Sequence, residues 1–385
     1  MKRITILGST GSIGQSALDV IAAHPDRFEV VALGAGRNVD LLLEQIGQFH
    51  PQFVIVRSEQ ELAALKDRVP YPEFEISFGP EGMDQAAGLG ENDIVLNALV
   101  GAVGLTASLA AIRAGKFLAL ANKESLVVGG PLFADLMRQG DGRILPVDSE
   151  HSAIWQCLKA GRQEEVCRLW LTASGGPFRQ RDASTFKDIT VEEALAHPTW
   201  KMGPKITIDS ATMINKGLEL IEAVWLFSLP PDRVRIVIHP QSIVHSMVEY
   251  IDSAIIAQMS TPDMRLPITY ALFWPERVES DFGRIDLTQV GPLEFHEPDE
   301  IKFPALRLAR QAAESGGTAP AALNAANEVA VELFLSGRIT FPGITELIEE
   351  ILVKHTVMHN PELEDILNCD RETRRLAREL AGSSR

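Results

Sequence analysis

The chain is poor in cysteine: Cys157, Cys167 and Cys369 are the only three in 385 residues, and no two stand at C-x-x-C spacing. That argues against zinc ribbons and thioredoxin-like redox chemistry, and it suits a reducing compartment. An excess of positive charge is also lacking. The formal net charge is -16, which argues against nucleic acid or an anionic membrane surface as the main partner. No apolar run approaches the ~18 residues of a membrane span. The opening MKRITILGSTGSIG is apolar only from Ile4 to Leu7 before glycines interrupt it, so it does not read as a signal peptide. No internal repeat and no low-complexity segment is present. These absences predict a cytoplasmic protein with no nucleic-acid and no membrane partner, long enough for two or three domains and able to bury a core without disulfides.

What is present is an alternation. Residues 4–8, 28–34, 53–56, 74–78, 93–99 and 117–122 read as apolar strands, with helical patterns between most of them, notably over 12–23 and 105–114. Near-continuous apolar strands with crossover helices predict a parallel sheet covered on both faces, here a Rossmann-type domain over residues 1–147. After residues 144–151 the pattern changes. Helices are predicted over 152–159 and 210–227, and strands over 168–173, 233–238, 243–250 and 254–259. Successive strands with short turns predict a mixed or antiparallel sheet, in an α+β catalytic domain over 148–274. A linker rich in Pro, Gly and Asp follows over 275–302. From 303 to 385 the pattern is helical, with Leu306, Ala309 and Ala313, then Ala325, Val329 and Leu333, at helical spacing; a small C-terminal helical bundle is expected.

Gly8, Gly11 and Gly14 form a G-x-x-G-x-x-G turn between the first strand and the first helix. Glycines let the turn tighten and let backbone N–H groups approach a phosphate, and the helix N-terminus favours negative charge. At the end of the second strand, where an NAD site usually carries an acid for the ribose 2′-hydroxyl, the chain has Ala35-Gly36-Arg37-Asn38. A guanidinium there suits a 2′-phosphate, so NADPH is the expected cofactor. Asn122-Lys123-Glu124 follows the strand over 117–121, at the end of a parallel strand where open sheets bind ligands. Asn122 and Glu124 are expected to face the cofactor, and Lys123 the substrate.

Asp148-Ser149-Glu150-His151 closes an apolar strand, and in an extended segment Asp148 and Glu150 point to the same side. Glu219 lies on the predicted helix beside the core stripe of Ile214, Leu218, Ile221 and Trp225, on a face shared with Asn215 and Glu222. Three carboxylates suit a hard divalent ion, Mg2+ or Mn2+, with Co2+ also accommodated. Spacing leaves Glu222 and His151 open as alternative ligands. Between the acids lies a segment dense in phosphate-binding types: Ser174-Gly175-Gly176-Pro177, His197 to Pro204, then Asn215 and Lys216. Serine hydroxyls, His197, Asn215 and Lys216 read as an anion cradle. Trp200 and Met202, between prolines and glycines, read as an apolar lid or a packed loop.

The motifs GSTGSIG (8–14), NKES (122–125), VDSEH (147–151), SGGPF (174–178), HPTWKMG (197–203) and IDSATMINKGLELIEA (208–223) together resemble one family along the whole chain: 1-deoxy-D-xylulose 5-phosphate reductoisomerase. The resemblance implies NADPH-dependent rearrangement and reduction of that phosphorylated ketose to 2-C-methyl-D-erythritol 4-phosphate in non-mevalonate isoprenoid biosynthesis. It implies a homodimer and a catalytic domain with a mobile loop. It assigns Asp148, Glu150 and Glu219 to the metal. Ser149, Ser174, His197, Ser210, Asn215 and Lys216 fall to the substrate, with Lys123, Glu150 and Glu219 beside them. Thr10, Gly11, Ser12, Ile13, Arg37, Asn38, Asn122, Glu124 and Gly203 fall to the cofactor, with Gly36 adjoining. Lys123 and Glu150 are the expected proton carriers. The competing expectations are an NADP dehydrogenase of the homoserine or semialdehyde kind and a catalytically inactive NADPH-binding sensor.

Overall fold

A computed structural model describes residues 1–70, 72–139, 143–197, 200, 202–280 and 282–383. The chain divides into two compact units, each assembled from separate segments: Met1–Ser125, Phe133–Ser152 and Asp263–Phe282 in the first, and Leu126–Leu132, Ala153–Pro262 and Gly283–Arg385 in the second.

The first unit is built on seven strands, β1 (Lys2–Leu7), β2 (Phe28–Gly34), β3 (Phe53–Val56), β4 (Glu75–Phe78), β5 (Ile94–Asn97), β6 (Phe117–Leu120) and β7 (Arg143–Pro146). Their order is β4-β3-β2-β1-β5-β6-β7, and every neighbouring pair is parallel. The Rossmann-type expectation therefore holds. Ile4, Ile6, Val31, Leu33, Val54, Val95 and Leu118 are fully buried, because helices cover both faces; that is why the strands read as continuous apolar runs rather than alternating ones. The order reverses at β1, whose Leu7 lies between Gly34 and Asn97. Ligands of open parallel sheets bind beyond the carboxyl ends of the strands at such a switch point. The segment 263–282 closes this unit with the helix Arg265–Phe273. Phe273 meets Phe28 edge-on at 4.8 Å, and Lys2 Nζ donates to the carbonyls of Leu272 (2.9 Å) and Trp274 (2.8 Å).

The second unit holds β8 (Val166–Ala173), β9 (Val234–Ile238), β10 (Val244–Tyr250) and β11 (Ile255–Met259), in the order β11-β10-β8-β9. β10 runs antiparallel to β8 and β11, and β8 parallel to β9, which makes the mixed sheet the sequence predicts. One apolar core runs from Leu169 and Leu171 of the sheet through Ile214 and Leu218 to Leu306, Val329 and Ile348 of the C-terminal helices. Those helices are Ala305–Ser315, Ala319–Leu335, Phe341–Lys354 and Leu363–Ser383. Among the described residues no helix is long and apolar enough to cross a membrane.

Two local expectations fail. The helix predicted over 210–227 is two helices, Pro204–Ala211 and Ile214–Phe227, broken at Thr212 and at Met213, which takes φ +66°. The stretch after Pro146 is not extended through His151: a helix begins at Ser149 and runs to Cys157.

Candidate active site

The glycine turn is shaped by close approach. Gly8 takes φ +92°, and a Cβ there would stand 2.6 Å from the carbonyl oxygen of Ala98. A Cβ on Gly14 would stand 2.3 Å from the Gly8 carbonyl oxygen. Only glycine lets the helix Ser12–Ala22 seat this tightly on the turn, with first-turn N–H groups that have no intrahelical acceptor. The N–H groups of Gly8 and Ser9 both donate to Gly34 at 2.8 Å, tying the turn to the end of β2. Thr10 and Ile13 are half-buried, and Gly11 and Ser12 exposed. Beyond β2, Gly36 is half-buried and Arg37 exposed; Asn38 caps the helix Val39–Phe49 by accepting the Leu41 N–H at 3.1 Å.

At the end of β6 the side chains turn inward. Asn122 and Glu124 are buried. Asn122 Nδ2 donates to the carbonyls of Leu99 and Gly101 at 2.9 Å and to Glu124 Oε2 at 3.0 Å, while its Oδ1 accepts the Ser125 N–H at 3.1 Å. Asn122 thus caps the helix Lys123–Gln139 and holds the loop that leaves β5. Asn97, which sequence reasoning passed over, supports the same loop: its Nδ2 donates to the Gly104 carbonyl at 2.9 Å and to Ser108 Oγ at 2.7 Å. Its one signal is an amide ending an otherwise apolar strand.

Asp148 and Glu150 sit at a strand-to-helix turn, so the extended i, i+2 argument does not describe them. Asp148 is the cap of the helix Ser149–Cys157, its Oδ1 accepting the Glu150 N–H at 3.3 Å. Ser149 Oγ donates to Glu150 Oε2 at 2.6 Å. Lys123 Nζ lies 2.8 Å from Asp148 Oδ2, and the buried His151 has Nδ1 3.7 Å from Oδ1. Burial would raise the Asp148 carboxyl, but the Lys123 ammonium, aided by His151 and the contact at Glu150, holds it well below the usual carboxylate range.

In the second unit the helix Ile214–Phe227 carries the third acid. Glu219 is buried, its Oε1 accepting Asn215 Nδ2 at 2.6 Å and its Oε2 paired with Lys216 Nζ. Glu222 is buried on the same helix. After β8, Gly175 and Gly176 take φ +85° and +66°, and a Cβ on Gly176 would come 2.7 Å from the Ser210 carbonyl oxygen. Ser174 Oγ accepts the Gly176 N–H at 3.3 Å and lies 3.2 Å from His197 Nε2. His197 Nδ1 accepts the Trp200 N–H at 2.9 Å, so the proton of the neutral ring sits on Nε2 and is directed at Ser174. Burial lowers the His197 pKa and favours that neutral ring. Trp200 is half-buried and meets the His245 ring at 6.3 Å. Pro198, Thr199 and Lys201 of this loop lie outside the described residues. Gly203 precedes the helix Pro204–Ala211, which delivers a half-buried Ser210.

A parallel sheet with a glycine turn at its switch point, joined to a mixed-sheet unit rich in carboxylates and anion-binding groups, defines a dinucleotide-dependent oxidoreductase. Residues 4–130 match the family described as 1-deoxy-D-xylulose 5-phosphate reductoisomerase, residues 144–227 its C-terminal domain, and residues 259–376 the DXP reductoisomerase C-terminal domain. The chain belongs to the 1-deoxy-D-xylulose 5-phosphate reductoisomerase family. It is 52% identical over 382 residues to the reductoisomerase of Chlorobaculum tepidum, covering 99% of this chain and 100% of that one. To the reductoisomerase of Thermomicrobium roseum it is 51% identical over 381 residues, covering 98% and 97%. Among solved structures, the Zymomonas mobilis reductoisomerase in complex with NADPH is 44% identical, with a TM-score of 0.92 and 99% of each chain covered. A DOX-P reductoisomerase in complex with NADPH, fosmidomycin and magnesium is 42% identical, with a TM-score of 0.94, covering 99% of this chain and 98% of that one.

Proposed function

We infer that this chain converts 1-deoxy-D-xylulose 5-phosphate into 2-C-methyl-D-erythritol 4-phosphate, an NADPH-dependent step of non-mevalonate isoprenoid biosynthesis that requires a divalent cation. The observation that carries the reading is that each unit holds an acid of the expected metal set against a lysine, Asp148 against Lys123 in the first and the buried Glu219 against Lys216, with Asn215, in the second. Carboxylates supply the oxygen ligands that a hard cation prefers.

Asp148, Glu150 and Glu219 are the proposed metal ligands. The all-oxygen set suits Mg2+, Mn2+ or Co2+ better than the competing set of Asp148, His151 and Glu222, whose imidazole suits a softer ion. A cation held by these residues would supply Lewis-acid chemistry to the substrate's oxygens, and NADPH would supply the hydride. Lys123 and Glu150 then hold and move protons at those oxygens, with Ser149 hydrogen-bonded to Glu150 to orient it. Ser174, Ser210, Asn215 and Lys216 bind the phosphate, remote from the reacting carbons, and His197 orients Ser174 through Nε2. The loop at Trp200 excludes water.

Thr10, Gly11, Ser12 and Ile13 receive the pyrophosphate at the helix start, Gly36, Arg37 and Asn38 the 2′-phosphate, and Asn122, Glu124 and Gly203 border the rest of the dinucleotide. We assign residues 1–147 to NADPH, 148–274 to catalysis and dimerisation, 275–302 to a linker and 303–385 to a supporting helical domain. The enzyme is proposed to be a cytoplasmic homodimer. NADPH oxidation followed at 340 nm tests the reading: it should require 1-deoxy-D-xylulose 5-phosphate, stop with EDTA, and return with Mg2+ or Mn2+. Oxidation indifferent to the ketose or to chelation would refute it.

A further inference from the structure

Ser210 on one side, and Asn215 and Lys216 on the other, flank the break between the helices Pro204–Ala211 and Ile214–Phe227. Met213 in that break takes φ +66°, a conformation a residue with a side chain keeps only where its surroundings over-determine it. One constraint is the packing of Gly176 on the Ser210 carbonyl. Another comes from the C-terminal helices. Asp209, next to Ser210 and 1% exposed, accepts a hydrogen bond at Oδ1 from Asn327 Nδ2 at 2.9 Å, and its Oδ2 lies 2.8 Å from Lys205 Nζ. Asn327 is fully buried on the helix Ala319–Leu335, and its Oδ1 has no hydrogen-bond partner among the described residues. An amide with an unpaired acceptor is a costly way to fill a core position; what distinguishes it from leucine there is the donor it offers Asp209. One turn earlier, Asn324 Nδ2 donates to Glu328 at 3.0 Å, and Glu328 pairs with Arg374 at 2.7 Å, fixing this helix against Leu363–Ser383.

The geometry points to Asn327 as a positioning residue for the substrate's phosphate. Through Asp209 it sets where Ser210 stands and, across the Met213 break, where Asn215 and Lys216 stand. The inference rests on the reading of Ser210 as a phosphate ligand.

The test is steady-state kinetics and melting temperature for Asn327→Leu, Ser210→Ala, and the exchange Asp209→Asn with Asn327→Asp, which reverses donor and acceptor. Asn327→Leu should raise the KM for the ketose phosphate on the order of tenfold, with the KM for NADPH unchanged. The exchange should recover most of that loss, which a merely structural role would not require. Should Asn327→Leu fail to fold, Asn327→Ser, too short to reach Asp209, is measured in its place. A lowered melting temperature with both KM values unchanged, or both rising in parallel, overturns the inference. If Ser210→Ala raises the ketose KM and the Asn327 variant does not, only this inference fails. If Ser210→Ala leaves it unchanged, the phosphate reading fails and the inference with it.

Discussion

Arg37 stands exposed three residues beyond the end of β2, next to a helix capped by Asn38. A guanidinium in that position matches a phosphate's geometry and charge, whereas an acid would match a ribose hydroxyl. Arg37→Asp should therefore weaken NADPH on the order of tenfold or more and change NADH far less. The ratio of the two cofactors' kcat/KM values reads this directly; equal losses would remove Arg37 from the 2′-phosphate. At the other end of the parallel sheet's ligand edge, Asn122 shows how a residue in a binding motif can also serve the fold. Its amide is engaged by Leu99, Gly101, Glu124 and Ser125, so the side chain proposed to border the dinucleotide also holds the loop that leaves β5.

The strand, turn and helix that open the chain act as one element. A methyl on Gly14 would lie 2.3 Å from the Gly8 carbonyl and 2.5 Å from Ser9 Cα, both backbone atoms that cannot step aside. Gly14→Ala should lift the helix from the turn, raise the KM for NADPH and cost ~1–3 kcal/mol as overpacking does. A thermal melt and an NADPH titration check both effects; a variant like the parent in each would show the turn to be looser than described. This element was legible because glycine is needed wherever backbones approach closely. Elsewhere the signals were weaker. Asp148 to Glu150 reads as extended because it continues the apolar run over 144–147 and a short D-x-E has no period of its own; the bond from Glu150 N–H to Asp148 is a local N-cap, two residues apart, that starts a helix instead. The stripe of Ile214, Leu218, Ile221 and Trp225 faces the core, the first three buried and Trp225 partly buried against it, but nothing in IDSATMIN marks Met213 as left-handed, a conformation held from outside by packing. The helix Arg265–Phe273 escaped because its buried residues run unbroken from Pro267 to Phe273, so it has no polar face to reveal a period.

Across the whole molecule, the match to the Chlorobaculum tepidum reductoisomerase extends over 99% of the chain, and the homoserine-type and sensor readings give way to it. Each unit brings its own lysine to its own acid, Lys123 to Asp148 and Lys216 to Glu219. The proposed homodimer is open to sedimentation velocity: a species of twice 42.2 kDa is expected, and a monomer at micromolar concentration would contradict it.

Asp148, Glu150 and Glu219 are proposed to serve one cation. Calorimetric titration of Mn2+ into the NADPH-loaded protein, its Glu219→Gln variant and its Glu222→Gln variant tests it most directly. Glu219→Gln should weaken Mn2+ by ~10-fold or more, Glu222→Gln should stay close to the parent, and NADPH affinity should be the same in all three. Undiminished Mn2+ binding by Glu219→Gln, or its loss in Glu222→Gln instead, would contradict the assignment.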